Sequence, residues 1–455
     1  MRTLSFSFLF LSFALCTGTL EAQTSTADSI GSLLPLRQAV DIAIRNNLQV
    51  NVQDLQSQTY KVAFDQSWEF MLPTLNLQGQ QGINFGRSLN PTNYTYVSSQ
   101  TGSGNYGLNS NIPIFEGLQL QNGIKQNRYI FDASRYDLQW QKDNITLSVL
   151  LAYLQVLSAR DQLAATRAQE AADTAQLHRN ESLSREGALL SLSDLTNIQG
   201  QVAQDEINIA TAVNTLEANK VALFQLMNVT YKREVDYENS VNTASIADYQ
   251  TSPDSLFSSA LRVVPTIESS RLKVLGAEKA VQVARGAYWP TLSFGASVNT
   301  YYNGASTVGA NNAKIPWGTQ FKDNRSEFIG LNLNWNILNA FKIRNNVRNQ
   351  KINLQTAKNN ANSTRLTLQQ NVELAFQNMI AAYKSYKFYN DQAIAFAESF
   401  RITDIRFTSG VVTSDIYIQA KARSDAATIN LAAAKYAYIF RTKVLDYYQG
   451  RLTIP

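Results

Sequence analysis

Cysteine occurs once in these 455 residues, at Cys16, and histidine once, at His178. Neither residue can pair or cluster, which leaves no basis for a disulfide scaffold or a His/Cys metal centre. Charged side chains make up only 16% of the chain, and the net charge of +5 is spread without a run of Lys or Arg. A nucleic-acid surface concentrates its cations on one face, so no nucleic-acid partner is expected. The acids are dispersed too, and neither a glycine-rich phosphate loop with lysine nor a nucleophile–base constellation can be named. The sequence therefore predicts no enzyme, no cofactor and no metal. Beyond the first 22 residues, no stretch of about 18 apolar residues occurs, so any membrane crossing must be made by strands.

Residues 1–22 read as a secretory signal peptide. Arg2 is the positive end, Leu4 to Cys16 the apolar core, and Leu20-Glu21-Ala22 precedes a cut before Gln23. Leu15 does not fit the small residue that a lipoprotein cut before Cys16 requires. Residues 23–35 read as a flexible lead.

What the chain does have is a long rod, twice. Between Gly117 and Gly187 there is no proline, and Ile124, Phe131, Leu138, Ile145, Ala152 and Ala159 form an apolar ladder at seven-residue steps. Such a helix is roughly 100 Å long at 1.5 Å per residue, and its strict period predicts a left-handed supercoil. Adding 223 to each position gives Val347, Leu354, Ala361, Leu368, Ala375 and Ala382, and also carries Gly187 to Gly410. Upstream, a shift of 217 carries Ala43 to Ala260 and Pro73-Thr74-Leu75 to Pro290-Thr291-Leu292. The chain is a tandem duplication.

Each half has the same plan. Residues 36–235 hold a helix to about Leu72, strands over 74–86 and 104–115, a long helix over 117–186 and a returning helix over 191–228. Residues 253–450 hold a helix, strands over 291–302 and 327–338, a long helix over 340–409 and a returning helix over 414–448. Residues 236–252 form a linker at the equator of the rods, and 451–455 a tail. The strands alternate strictly, Ile329, Leu331, Leu333, Trp335 and Ile337 against Gly330, Asn332, Asn334 and Asn336. This is the pattern of an outer-membrane strand with lipid on one side and a polar lumen on the other, or of a half-buried soluble sheet. The segments 87–103 and 303–325 are polar and predicted to be exposed loops. Ser191 and Ser414 are predicted N-caps of the returning helices.

This plan, the Pro-Thr-Leu strand openings, the Ile112-Pro113-Ile114-Phe115-Glu116-Gly117 strand exit and the two glycine turns together resemble the TolC-type outer-membrane efflux proteins. The resemblance implies α-helical plus membrane-β architecture: a homotrimer with a long antiparallel coiled-coil α-helical barrel in the periplasm, and four strands per chain joined into one 12-stranded barrel. It implies an exit duct that docks to a periplasmic adaptor protein and an inner-membrane transporter. It places the periplasmic tip turns at Gly187 and Gly410. Family members often carry an acidic ring inside the closed tip, for which Asp415 and Asp194 are the candidates. Each is also readable as a helix-start acid facing the macrodipole, Asp194 more readily than Asp415. The tyrosine and arginine that close the tip in the best-known member correspond here to Phe407 and Val412. Trp289, Trp335 and Tyr106, with Trp68 and Trp317, are candidates for aromatic belts at the membrane interfaces. The competing reading is a trimeric structural or adhesive coiled coil at the cell surface, which accounts for the rods but not for the two matched strand pairs.

Overall fold

The computed structural model describes residues 31–89, 94–98, 100–185, 192–239, 249–308 and 313–453. The signal peptide with Cys16, the turn at Gly187 and the cap at Ser191 lie outside them. The first repeat runs β1 (Leu33–Leu34), α1 (Leu36–Asn46), α2 (Leu48–Glu69), β2 (Thr74–Asn84), β3 (Arg87–Leu89), β4 (Tyr96–Ser98), β5 (Thr101–Glu116), α3 (Gln119–Arg185) and α4 (Leu192–Met227), then β6 (Asp236–Tyr237). The second runs α5 (Pro253–Val263), α6 (Pro265–Gly286), β7 (Thr291–Asn303), β8 (Thr307–Val308), β9 (Ala313–Lys314), α7 (Trp317–Asp323), β10 (Ser326–Asn334), α8 (Lys342–Thr408) and α9 (Ser414–Tyr448). Among the described residues no helix is long and apolar enough to cross a membrane.

The rods α3 and α8 have 67 residues each, about 100 Å of helix. Their seven-residue ladders face inward: Ile145, Ala152, Ala159, Val347, Leu368 and Ala375 are buried, and the other ladder positions half-buried. Four strands make one antiparallel sheet in the order β10-β7-β5-β2. The helices beneath follow the same order, since α8 packs on α6, α6 on α3 and α3 on α2.

Four expectations are corrected. The segment 36–72 is two helices, because Asn47 takes an extended backbone (φ −67°, ψ 123°) and its Oδ1 accepts the N–H groups of Gln49 and Val50 at 2.9 and 3.3 Å. Its Nδ2 donates to Leu226 O, while Asn228 Nδ2 donates to Asn46 O. The break is thus stapled to the end of α4. Exactly 217 residues on, Val264–Pro265 makes the equivalent break with a residue that has no N–H to offer the preceding turn. The lead is not free from residue 33 onward, since β1 pairs in parallel with β6 and Leu34 is fully buried. Tyr153 O–H fixes that pair from α3, lying 2.8 Å from Leu34 O and 2.9 Å from Glu238 O. The outer segments are not plain loops: the first holds the β3–β4 hairpin and the second holds α7. Strand β10 stops at Asn334 rather than 338, because a tight turn (Ile337 N–H to Trp335 O, 3.0 Å) and two left-handed residues, Ala340 and Phe341, swing the chain into α8.

Register sorts the sheet into two faces. Leu77 pairs with Leu108, Leu108 with Val298, Ile112 with Phe294, Phe294 with Leu331 and Leu292 with Leu333. The other face carries Asn76, Asn109 and Ser297 in one register row, with Asn299 and Asn332 in further rows. Leu77, Ile329, Leu331 and Leu333 are exposed, so no described residue covers these apolar rows.

Candidate functional site

The described end of the rods is the turn between α8 and α9. Gly410 adopts φ +72°, a left-handed conformation that glycine takes at little cost. Its N–H bonds Phe407 O and the Val411 N–H bonds Arg406 O, each at 2.9 Å, the two bonds of a Schellman termination. Phe407 stacks on Tyr417 of the returning helix, ring centroids 4.7 Å apart, so this position closes on its own hairpin through an apolar contact. Val412 is half-buried.

The two candidate acids meet across this end. Asp194 Oδ1, from α4, accepts the backbone N–H of Ser414 at 3.1 Å and so caps α9 from the other repeat. Asn197 Nδ2 donates to Asp415 Oδ1 at 3.0 Å and lies 3.2 Å from Ser414 Oγ. Ser414 is therefore not the N-cap; Thr413 holds that place without a side-chain cap bond, and Ser414 is buried beneath the two cross-repeat contacts. Asp415 stays exposed. His178 is a surface residue, its Nδ1 3.6 Å from Glu181 Oε2.

Further up, the structure brings together a group that the sequence reading left dispersed. Lys421 of α9 is 2% exposed, Asp173 of α3 is 1% and Asp205 of α4 is 3%. The Lys421 ammonium lies 2.8 Å from Asp425 Oδ2 and 3.1 Å from Asp173 Oδ2, the latter off the direction a hydrogen bond needs. Gln201 Nε2 donates to Asp205 Oδ1 at 3.1 Å, while Asp205 Oδ2 has no donor among the described residues. Asp173 and Asp425 face one ammonium and Asp205 lies against Asp173; Lys421, Asp173 and Asp205 are shut off from water, while Asp425 is half-buried. Burial first, then hydrogen bonding with Asp205, pushes the Asp173 carboxyl up to about 7, against the pull of Lys421. Burial also raises Asp425. A proton on Asp173 supplies the donor that Asp205 lacks. The signal was present in the sequence: continuing the α3 ladder by sevens past Ala159 gives Thr166, Asp173 and Asn180, all buried. The ladder turns polar there but keeps facing inward.

At the other end, aromatic side chains mark both rims of the apolar face. Tyr106 donates to Gln81 Oε1 and packs edge-on against Trp317, which stacks on Phe321 at 4.8 Å. The opposite rim has Trp289 and Trp335, 64% and 58% exposed, with Trp335 Nε1 donating to Tyr288 O at 3.2 Å. Trp68 is exposed at the end of α2. From Leu292 to Thr300, the row paired with Tyr106, is eight residue steps along β7, about 27 Å of strand.

Comparison with known proteins agrees with this geometry. The family model for outer membrane efflux proteins matches residues 40–229 and 256–445, once in each repeat. Outer membrane protein TolC of Escherichia coli is 25% identical over 362 residues, covering 73% of this chain and 71% of that protein. Among solved structures, the Campylobacter jejuni CmeC outer membrane channel superposes with a TM-score of 0.73 at 18% identity, covering 92% of this chain and 86% of that one. Outer membrane protein VceC of Vibrio cholerae gives 0.73 at 13% identity, covering 92% and 97%. The chain belongs to the outer membrane efflux protein family, the exit channels of efflux systems, and its place is the outer membrane.

Proposed function

We propose that three copies close into one duct, with a 12-stranded barrel in the membrane and a helical barrel in the periplasm. The observation that carries this is the open edge at both layers. Among the described residues β2 and β10 each lack a neighbour on one side, and four strands cannot close, eight being the usual minimum. Beneath them, α2 and α8 end the helix order with exposed apolar side chains, Val52, Leu55 and Val62 on one and Ile352, Leu366 and Leu374 on the other. Pairing α8 and β10 of one copy with α2 and β2 of the next covers both edges at once, and three copies bring the strands to 12. Native mass measurement in detergent should give three times the mass of the processed chain; a stable monomer or dimer overturns the reading. An adhesive coiled coil would have no use for a four-stranded sheet with one apolar face.

In this assembly the apolar face meets lipid, and Tyr106, Trp317, Trp289 and Trp335 are its aromatic belts. The Gly410 turns of the three copies converge at the periplasmic end, where an adaptor protein and an inner-membrane transporter dock. Crosslinking in whole cells followed by identification of the captured proteins tests these partners. Asp415 lines the lumen as the gate acid, while Asp194 holds the start of α9. Asp415→Asn should then shift the reversal potential across a salt gradient toward lower cation preference with trimer yield unchanged; identical reversal potentials remove Asp415 from the gate. No step in this reading involves catalysis.

A further inference from the structure

Just below the apolar rows of the sheet, the end of α6 and the first turns of α8 border a groove of about 550 Å³, lined by Arg285, Tyr288, Trp289, Trp335, Val347 and Lys351. Two cations, three aromatic residues and one aliphatic side chain line it, and no carboxylate does. Arg285 and Lys351 are exposed, and neither has an ion-pair partner among the described residues. Charges are otherwise near balance in this chain, 40 basic against 35 acidic residues. Yet from Phe328 to Val372 there is no acid at all, while Lys342, Arg344, Arg348, Lys351, Lys358 and Arg365 are all basic. The equivalent part of the first repeat is mixed, with Asp132, Asp137 and Asp143 among its cations. The cations at the start of α8 also oppose its macrodipole, so the helix itself gains nothing from them.

The vertical order of side chains says what anion they suit. Leu333 belongs to the apolar row of β10, and Trp335 follows two residues later with its indole tied to Tyr288 O. Arg285 and Lys351 lie on the helices beneath. Hydrocarbon-facing leucine, then aromatic ring, then cation is the order of a bilayer read from its core to its phosphates. A free inorganic anion would engage the cations but leave the rings without a partner.

We infer that this groove binds the phosphate of an anionic phospholipid in the leaflet next to the rods, with Arg285 and Lys351 on the phosphate and the Trp289 and Trp335 rings against the glycerol and upper acyl chains. The inference rests on the proposed lipid-facing orientation of the apolar sheet face. It is tested on the detergent-purified full assembly exposed to equal amounts of phosphatidylglycerol and phosphatidylcholine, with retained lipid counted by native mass spectrometry. Wild type should retain phosphatidylglycerol preferentially. A cation near an anionic lipid contributes about fivefold, so the double variant Arg285→Gln/Lys351→Gln should lose at least that much of the preference. Lys358→Gln, an exposed cation two turns further down α8, should retain it. Equal retention of both lipids by wild type overturns the site and leaves the orientation standing. Failure to retain either lipid overturns the orientation itself. Complete displacement of phosphatidylglycerol by millimolar inorganic phosphate overturns the lipid in favour of a free anion. The wild-type comparison needs no variant, so a double variant that fails to assemble does not decide the matter.

Discussion

The rods α3 and α8 are copies of one element, equal in length and ladder register, yet they differ in almost everything a neighbour imposes. α3 packs against α2, α6, α4 and α9, and its buried residues recur from Ala133 to Asn180. α8 packs against α6, α9 and α5, and only Val347, Leu368, Val372, Ala375 and Met379 are buried. The interior copy carries one charge at a fully buried position, Asp173, matched by Lys421 from the other repeat. The edge copy carries six cations and no acid in its upper half. A duplication supplies two identical scaffolds, and position in the sheet order then decides which becomes core and which becomes interface.

The largest test of this contrast is Lys421→Met. It strands the buried Asp173 without its cation and should cost about 3–5 kcal/mol of stability. Lys358→Met on α8 should cost less than about 0.5 kcal/mol, since its side chain is exposed. Denaturant midpoints of the two variants check this, and equal losses would erase the distinction. Next, Leu157→Ala in the interior rod should cost about 2–5 kcal/mol whatever the oligomeric state, because the side chain is fully buried within one chain. Ile352→Ala on the edge rod should instead raise the concentration at which the assembly dissociates and leave the spectroscopic signature of the protomer unchanged.

A smaller effect follows from pH. The folded protein holds the Asp173 carboxyl at about 7, above its ordinary value of 3.8, so between these values it keeps a proton that the unfolded chain releases. This contribution is full below about pH 4 and is lost as pH rises through 7. The groups facing Asp173 are Asp205, Lys421 and Asp425; Gln201 bonds Asp205, and Tyr417 packs nearby on α9. Melting at pH 5.5 should therefore exceed that at pH 7.5 by about 2 °C or more, and Asp173→Asn should flatten the difference. An unchanged slope would assign the dependence elsewhere. Smallest, Gly410→Ala should cost about 1 kcal/mol through its left-handed backbone alone, because the space around it is open. A loss above about 3 kcal/mol would mean that the turn is packed against something the protomer does not contain.

The long-period features were legible in the sequence because they depend on repetition. The ladders, the strand alternation and the 223-residue shift each average over many residues. What escaped depends on single distant contacts. Asn47 reads as one more polar helix residue until Leu226 O, 179 positions away, receives its amide. Pro265 announces the same break openly in the second repeat. The early end of β10 rests on Ala340 and Phe341, neither of which favours a left-handed backbone by type. Helix α7 has only seven residues, and its Trp317 and Phe321 gain their meaning from Tyr106 on another strand. Asp173 falls on the α3 ladder seven residues past Thr166, but its partners Lys421 and Asp205 come from α9 and α4, so only the fold brings them together. The two acids near the tip were read separately, whereas Asn197 and Ser414 tie them into one cross-repeat contact.

The pairing of β5 with β7 also fixes an order of events. β2 and β5 are joined by a short excursion, and so are β7 and β10, so each hairpin can form from neighbouring sequence. The central seam is different: Glu116 meets Thr291 and Ser103 meets Asn303, separations of 175 and 200 residues. That seam cannot zip until the second repeat has been made and exported, and non-local pairing of this kind slows folding. During the wait β5 has a bare edge and an uncovered row of leucine and isoleucine, open to pairing with other chains. The exposure of that half-sheet lengthens with α3 and α4, which must be made before β7 can pair.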